Sequence, residues 1–384
     1  MTSGFNFTNN GTISNFDDVF IRQDIFAQGA LWTCGYNAYG ELGNNTVVNE
    51  SSPVQTIAGG TNWKQVAGGG YHTAAIKTDG TLWAWGYNGQ GQLGDNTVVN
   101  KSSPVQTIAG GTNWKQVAGG FNHTAAIKTD GTLWTWGYDN YGQLGDNTIV
   151  AKSSPVQTIT GGTNWKQVAC GSYHTAAIKT DGTLWTWGYN PYGQLGNNTV
   201  VNESSTVQTI AGGTNWKQVA CGSYHTAAIK TDGTLWTWGQ NTYGGLGDNT
   251  VAHKSSPVQT IAGGTNWKQV ACGYQITAAI KTDGTLWTWG YNGNGQLGDN
   301  TTVAKSSPVQ TITGGTNWKQ VACGSNYTTA IKTDGTLWTC GYNNQGGLGD
   351  NTTVAKSSPV QTIAGGTNWK QVACGDNQTA AITQ

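Results

Sequence analysis

The chain has 384 residues, no net formal charge and only 10% charged residues, against 58 glycines and 19 tryptophans. Acidic and basic side chains are spread evenly, with Arg22 the single arginine, so no basic face is offered to nucleic acid or to an anionic membrane. No apolar stretch is long enough to cross a bilayer, and the glycine and tryptophan excess points to a glycine-turned, aromatic-cored β protein rather than a disordered one.

Residues 1–27 come first and stand apart from the remainder of the chain. The opening "TSGFNFTNNGTISNFDD" has neither the cationic start nor the apolar run of a secretory signal, and the chain reads as soluble. The stretch "DDVFIRQDIFAQG" ends in register with a later template, Ile25 matching Ile76 and Gly29 matching Gly80. It competes on paper with the last strand of the chain for one slot. The C-terminal "TAAIT" matches its sibling strands and "RQDIF" does not, so the C-terminal strand is expected there and residues 1–27 are read as an attachment segment for a virion or protein partner.

From residue 28 the sequence repeats. The pair "LW" recurs at Leu31, Leu82, Leu133, Leu184, Leu235, Leu286 and Leu337, a period of 51 without insertion or deletion. Each unit contains four short strand patterns. "NWKQVA" alternates so as to place Trp63, Gln65 and Ala67 on one side; "HTAAIKT" and "TLWTWGY" flank the Asp79-Gly80 hairpin signal; "PVQTI" closes the unit before "AGGTN". Four-stranded units of this length are the signature of propeller blades, which remove exposed sheet edges by closing radially. Residues 28–384 number seven times 51. The expected fold is therefore all-β, a seven-bladed β-propeller closed by pairing of the N- and C-terminal strands.

Cys170, Cys221, Cys272, Cys323 and Cys374 are one repeat position occurring five times. Rotation keeps equivalent residues too far apart for a disulfide except near the axis, so buried free thiols and a reducing compartment are expected. Cys34 and Cys340 replace the second Trp of "LWTWG" in neighbouring units. They read as a packing adjustment rather than a disulfide.

The residues "GYNGQGQLGDN" and "CGSYHTAAIKTDGTLWTWG" resemble the repeat of the regulator of chromosome condensation family, whose members form seven-bladed propellers; the resemblance covers residues 28–384. A second resemblance is to near-identical repeat proteins of this family encoded by bacteriophages of marine cyanobacteria, whose acidic-aromatic lead-in is similar to "FDDVFIRQDIF". It implies a phage virion or host-recognition setting, with the protein in the virion or in the host cytoplasm during assembly. Family activities transfer poorly. Nucleotide exchange on a small GTPase implies a protruding insertion that a strict period of 51 leaves no room for, the basic tail of chromatin binding is missing, and ultraviolet photoreception implies partnering arginines that have no counterpart here. Inhibition of β-lactamases, known for a bacterial member, keeps a protein inhibitor as the alternative, beside an intracellular protein-interaction scaffold.

The seven copies differ in one place above all. Blade strands alternate in direction, so "AGGTN" and "TDGT", nearly invariant, fall on one face, while the turn before "HT" and the loop after "WGYN" fall on the other and change between copies. The rewritten positions read Tyr71, Phe121 with Asn122, Tyr173, Tyr224, Tyr274 with Gln275, Asn326 with Tyr327, and Asp376 with Asn377; the second loop adds Tyr39, Tyr141, Tyr192 and Tyr243. Aromatic anchors beside small hydrogen-bonding groups are the vocabulary of binding loops. These residues are the expected ligand-binding face for a protein or glycan, against the alternative that exposed loops simply drift. His72, His123, His174 and His225 share one position in four successive units. Ring geometry spaces them too widely for a shared metal ion, and they read as turn hydrogen-bonders. "GYNGQGQLG" is not followed by a helix that would make it a phosphate loop, no nucleophile, base and orienter share a spacing, and neither an enzyme, a metal nor a cofactor is expected.

Overall fold

The computed structural model describes residues 29–384 apart from 58, 59, 212 and 365. These fold into seven antiparallel sheets of four strands each, arranged as the blades of a propeller. Blade 1 runs outward from the axis through Trp63–Gly68, His72–Lys77, Leu82–Gly86 and Lys101–Gln106, and blades 2 to 6 repeat it in chain order. Blade 7 takes its two inner strands, Trp369–Cys374 and Gln378–Thr383, from the end of the chain and its two outer strands, Leu31–Gly35 and Glu50–Gln55, from the beginning.

That seam is a hairpin turn cut open. Leu31 pairs with Ile382 as Leu82 pairs with Ile76. Gly29 donates to the Thr383 carbonyl and accepts from Trp63, just as Gly80 donates to Lys77 and accepts from Trp114. The C-terminal strand fills the closing slot, and residues 1–28, with the competing "RQDIF", lie outside the described residues.

Packing between blades follows from the tryptophans. Trp114 and Trp136 are buried between blades 1 and 2 with Leu82, Ile76 and Leu93, and the cluster recurs around the ring. Each "GQLG" carbonyl is a double acceptor for the next blade: Gln92 O takes the Trp136 indole N–H at 2.9 Å and the Thr124 hydroxyl at 2.8 Å. Cys340 and Cys34 stand where the indole would be and approach the matching carbonyls of Gln296 and Gly347 at 3.6 and 3.7 Å. All seven cysteines are free thiols.

Two expectations about strands need correction. A bulge between Trp63 and Gln65 breaks the alternation, so Trp63 shares one inter-blade cluster with Val66 while Ala67 packs against the next. The released Gln65 side chain clasps the neighbouring blade: its Nε2 donates to Val117 O at 3.2 Å and its Oε1 accepts from Val117 N at 3.1 Å. The same clasp closes the ring from Gln371 to Val66. The outer strand is Lys101–Gln106 rather than "PVQTI", because an edge strand tolerates Pro104, which has no N–H to contribute, and so pairing extends back to Lys101 opposite Gly86.

Candidate functional site

The turns of the invariant face are held by neighbours. Gly80 adopts φ +82°, and a Cβ there would meet the Thr112 carbonyl of the next unit at 2.0 Å, so only glycine fits. Asp79 accepts from the Thr81 amide and hydroxyl at 2.9 and 2.7 Å, and Thr81 accepts from the Trp83 indole at 2.9 Å. Lys77 Nζ lies 5.0 and 4.7 Å from the Trp63 and Trp83 rings, a double cation–π contact repeated through Lys332. Sequence identity on this face is the imprint of these contacts.

On the opposite face the rewritten turns converge on the mouth of the central channel, where they bring the predicted aromatics together. Ring centroids step from Tyr39 to Tyr71 at 5.8 Å, Tyr71 to Phe121 at 5.2 Å, Phe121 to Tyr173 at 5.8 Å, Tyr173 to Tyr224 at 6.2 Å and Tyr224 to Tyr274 at 6.0 Å. All lie within the range of favourable aromatic pairs. Tyr141 and Tyr192 from the second loop buttress Tyr173 and Tyr224, each at 5.6 Å, while Tyr243 packs on Tyr291 at 4.9 Å. The result is an arc of touching rings that runs from blade 7 to blade 5. The remaining sector is polar.

Inside the arc lies a bowl of about 340 Å³, walled by Phe121, Tyr173, Tyr224 and Tyr274 on one side and by Ser325, Asn326, Asp376 and Asn377 on the other. Below it a neck of about 90 Å³ is lined by the glycines and thiols that end the inner strands. Burial pushes the Cys170 thiol up to about 12, so these sulfurs are protonated and inert. Backbone hydrogen bonds lace the mouth together, from Gly70 N to Gly120 O, Tyr274 N to Ser325 O and Ser325 N to Asp376 O. The aromatic wall is thus presented by a pre-ordered ring.

Not every predicted residue reaches the surface. Tyr327 is 1% exposed; it fills the histidine slot and donates its hydroxyl to the Gln378 carbonyl of blade 7, so it belongs to the framework and is removed from the face. Asn122 and Gln275 take part in side-chain hydrogen bonds with Gln92 and Gln240. The histidines bridge blades rather than turns. Because Thr124 spends its single proton on Gln92 O, it accepts at 2.8 Å from His72 Nε2, which therefore carries the hydrogen. The arrangement recurs for His123, His174 and His225. Burial lowers these imidazoles to about 3 or 4 and keeps them neutral.

Two groups of residues on this face were passed over in the sequence. The tyrosine of "WGY" is nearly constant and so carried no signal of variation, yet Tyr36, Tyr138 and Tyr189 stack on Tyr71, Tyr173 and Tyr224 at 5.9 to 6.2 Å. Glu41 and Asp139 are buried acids where sibling blades have mainly Gln and Asn, and burial raises both to about 7. Their signal is an acid where every sibling copy has a neutral residue, in "GELG" and "WGYDN".

Comparison with known proteins agrees with this geometry. The family model of the RCC1-like domain matches residues 25–314 and 164–384. The chain is 33% identical over 283 residues to the ultraviolet-B receptor UVR8 of Arabidopsis thaliana, covering 72% of this chain and 64% of the receptor. It is 32% identical over 324 residues to the mouse E3 ubiquitin-protein ligase HERC2, covering 80% of this chain and 7% of the ligase. It therefore spans less than two thirds of either relative. Among solved structures, Prp20p of Saccharomyces cerevisiae superposes with a TM-score of 0.83 at 21% identity, over 93% of this chain and 92% of that one; human WBSCR16 does so with 0.81 at 22%, over 92% and 98%. These two show the fold. Among the described residues no helix is long and apolar enough to cross a membrane. With the repeat, the blade architecture and the family model in agreement, the chain belongs to the RCC1-like domain family.

Proposed function

We propose that the chain is a non-enzymatic recognition propeller whose rewritten face binds a protein partner. The observation that carries this reading is the continuous arc of aromatic rings, assembled from the positions that differ between copies and set around a pre-ordered bowl. Rigid aromatics at the centre of a concave surface are the groups that dominate protein interfaces. Four of the five histidines, the residues most suited to acid–base work, are committed to inter-blade hydrogen bonds, and the fifth, His253, accepts from the Asn241 amide at 2.9 Å, which supports a reading without catalysis. Relatives point the same way: Prp20p is described by its binding to Gsp1p and histones, and has been solved bound to Kap60.

A glycan in place of a protein, residues 1–27 as an attachment segment, and a virion setting are finer forms of the same proposal; an inhibitor is the same surface with an enzyme as partner. Mass spectrometry of purified phage particles tests the virion setting, and its failure leaves the face untouched. The face is tested by substitution. Tyr173→Ala and Tyr224→Ala should weaken partner binding tenfold or more, about 1.4 kcal/mol per decade, with little change in melting temperature. Thr163→Ala, exposed on the invariant face, should leave affinity alone. Loss confined to the Thr163 side would show that the variation is drift.

A further inference from the structure

We infer that the bowl at the channel mouth receives a single cationic side chain, lysine or arginine, from the partner, which pairs with Asp376 and lies against the aromatic wall. The inference rests on the reading of this face as protein-binding and specifies the chemistry of what enters it.

The seven copies supply the first argument. At the position that rims the channel they carry Gly70, Phe121, Ser172, Ser223, Tyr274, Ser325 and Asp376, so one acid stands in a ring of otherwise uncharged groups. Asp376 is the one carboxylate among the described residues lining the bowl, and no lysine, arginine or histidine lines it. Its position is fixed by the Ser325 hydroxyl, which donates to Oδ1 at 2.6 Å, and by the Ser325 amide, which donates to its carbonyl at 3.2 Å.

The second argument is electrostatic. Burial raises the Asp376 carboxyl to about 6, which is the mark of a charge without a neighbouring cation. Its field is felt across the mouth, where it helps raise the phenols of Tyr71 and Tyr173. A cation entering the bowl meets this carboxylate on one side and the faces or hydroxyls of Tyr173, Tyr224 and Tyr274 on the other, a setting that favours ammonium or guanidinium groups through both charge pairing and cation–π attraction. An acidic group would be repelled. The size of the bowl, about 340 Å³ above a neck of about 90 Å³, admits one long side chain and excludes a folded element, so the residue comes from a loop or a terminus.

Three peptides test it with the intact chain: acetyl-Gly-Ser-X-Ser-Gly-amide with X as arginine, lysine or uncharged citrulline, titrated calorimetrically. The arginine or lysine peptide should bind at least tenfold more tightly than the citrulline one. Asp376→Asn, and Asp376→Ser, which copies the residue of three sibling blades and so preserves the fold, should abolish that preference without moving the melting temperature. Equal affinity for the three peptides, no binding by any of them at millimolar concentration, or an unchanged preference in both variants overturns the inference. So does binding of an oligosaccharide in the bowl that is indifferent to Asp376→Ser. A protein partner lost by Tyr224→Ala but retained by Asp376→Ser overturns the cation and keeps the face; one retained by both overturns the face itself.

Discussion

The two faces of the ring are built from the same blades and the same number of turns, yet one is copied almost letter for letter and the other is rewritten. The difference lies in what each turn touches. On the invariant face Gly80 is pressed against the Thr112 carbonyl of the adjacent blade, and Lys77 is gripped by two tryptophans of its own blade; a change there is felt either by the neighbour or by the blade's own core. On the rewritten face the first glycine of each turn is equally confined, a Cβ at Gly120 meeting His123 at 2.2 Å and the Gly171 carbonyl at 2.7 Å, but the residues that come after it project over the mouth. Freedom to vary begins where the neighbour's backbone ends.

The sharpest way to break this comparison is to place one methyl group on each face. Gly80→Ala adds a side chain at positive φ and against backbone, and should cost about 2–4 kcal/mol. Gly89→Ala, in the second loop of the same blade, would meet the ring end of Tyr87, whose hydroxyl lies 2.2 Å away; that neighbour is a half-buried side chain resting on Tyr39 at 5.0 Å and can shift where backbone cannot. Five of the six sibling copies already accommodate a side chain there, Ala38, Asn140, Pro191, Thr242 or Asn344. A cost under about 0.5 kcal/mol is expected. Denaturant melts of the two variants settle it, and similar losses would mean that the rewritten face is as structural as the other.

Asp139 shows that variation on the rewritten side has a cost of its own. In blade 1 the equivalent Asn88 points its amide nitrogen at acceptors: Asp95 Oδ1 at 3.0 Å, Thr97 O at 3.1 Å and Val99 O at 3.2 Å. Asp139 has no such donor unless it is protonated, and burial together with Asp146 raises it to about 7. An unfolded aspartate titrates near 3.9, so between these values the folded chain holds a proton that the unfolded chain lacks. Stability from this site is therefore present at acid pH and lost as pH rises toward 7. Asp139→Asn should stabilise the protein at pH 8 by roughly 1–2 kcal/mol, allowing for screening by nearby solvent, with the gain shrinking toward pH 5. An equal gain at both pH values would show that the proton is not the cause.

Much of the fold was legible because repetition turns one chain into seven aligned observations. The period gave the blade count, and the remainder of zero placed the seam inside the Asp-Gly turn, as the bonds of Gly29 to Thr383 and Trp63 bear out. The bulge after Trp63 was hidden, since a two-residue alternation survives on paper whether or not one residue is extruded. For the candidate site the reverse held. Differences between copies pointed to Tyr173, Tyr224 and Asp376, but differences are silent about constant contributors such as Tyr138 and Tyr189, and they admitted Tyr327, whose burial only the inter-blade packing reveals.

The smallest expected effect separates recognition from compensation at the rim of the rewritten face. Lys101 pairs with Asp95 at 3.7 Å, and four other blades repeat the pair. Where the lysine becomes Glu50 or Glu203, the aspartate becomes Asn44 or Asn197, so two of the seven copies change both partners together. That joint change is what removal of a like-charge contact requires and has nothing to do with a ligand. Lys101→Glu alone, facing Asp95, should cost on the order of 0.5–1 kcal/mol, whereas adding Asp95→Asn should bring the total back to within about 0.5 kcal/mol of the parent, as expected for a partly exposed pair. A double-mutant cycle by chemical denaturation measures the coupling. If the two changes simply add, charge does not link them, and the rim positions join the mouth as candidates for contact with the partner.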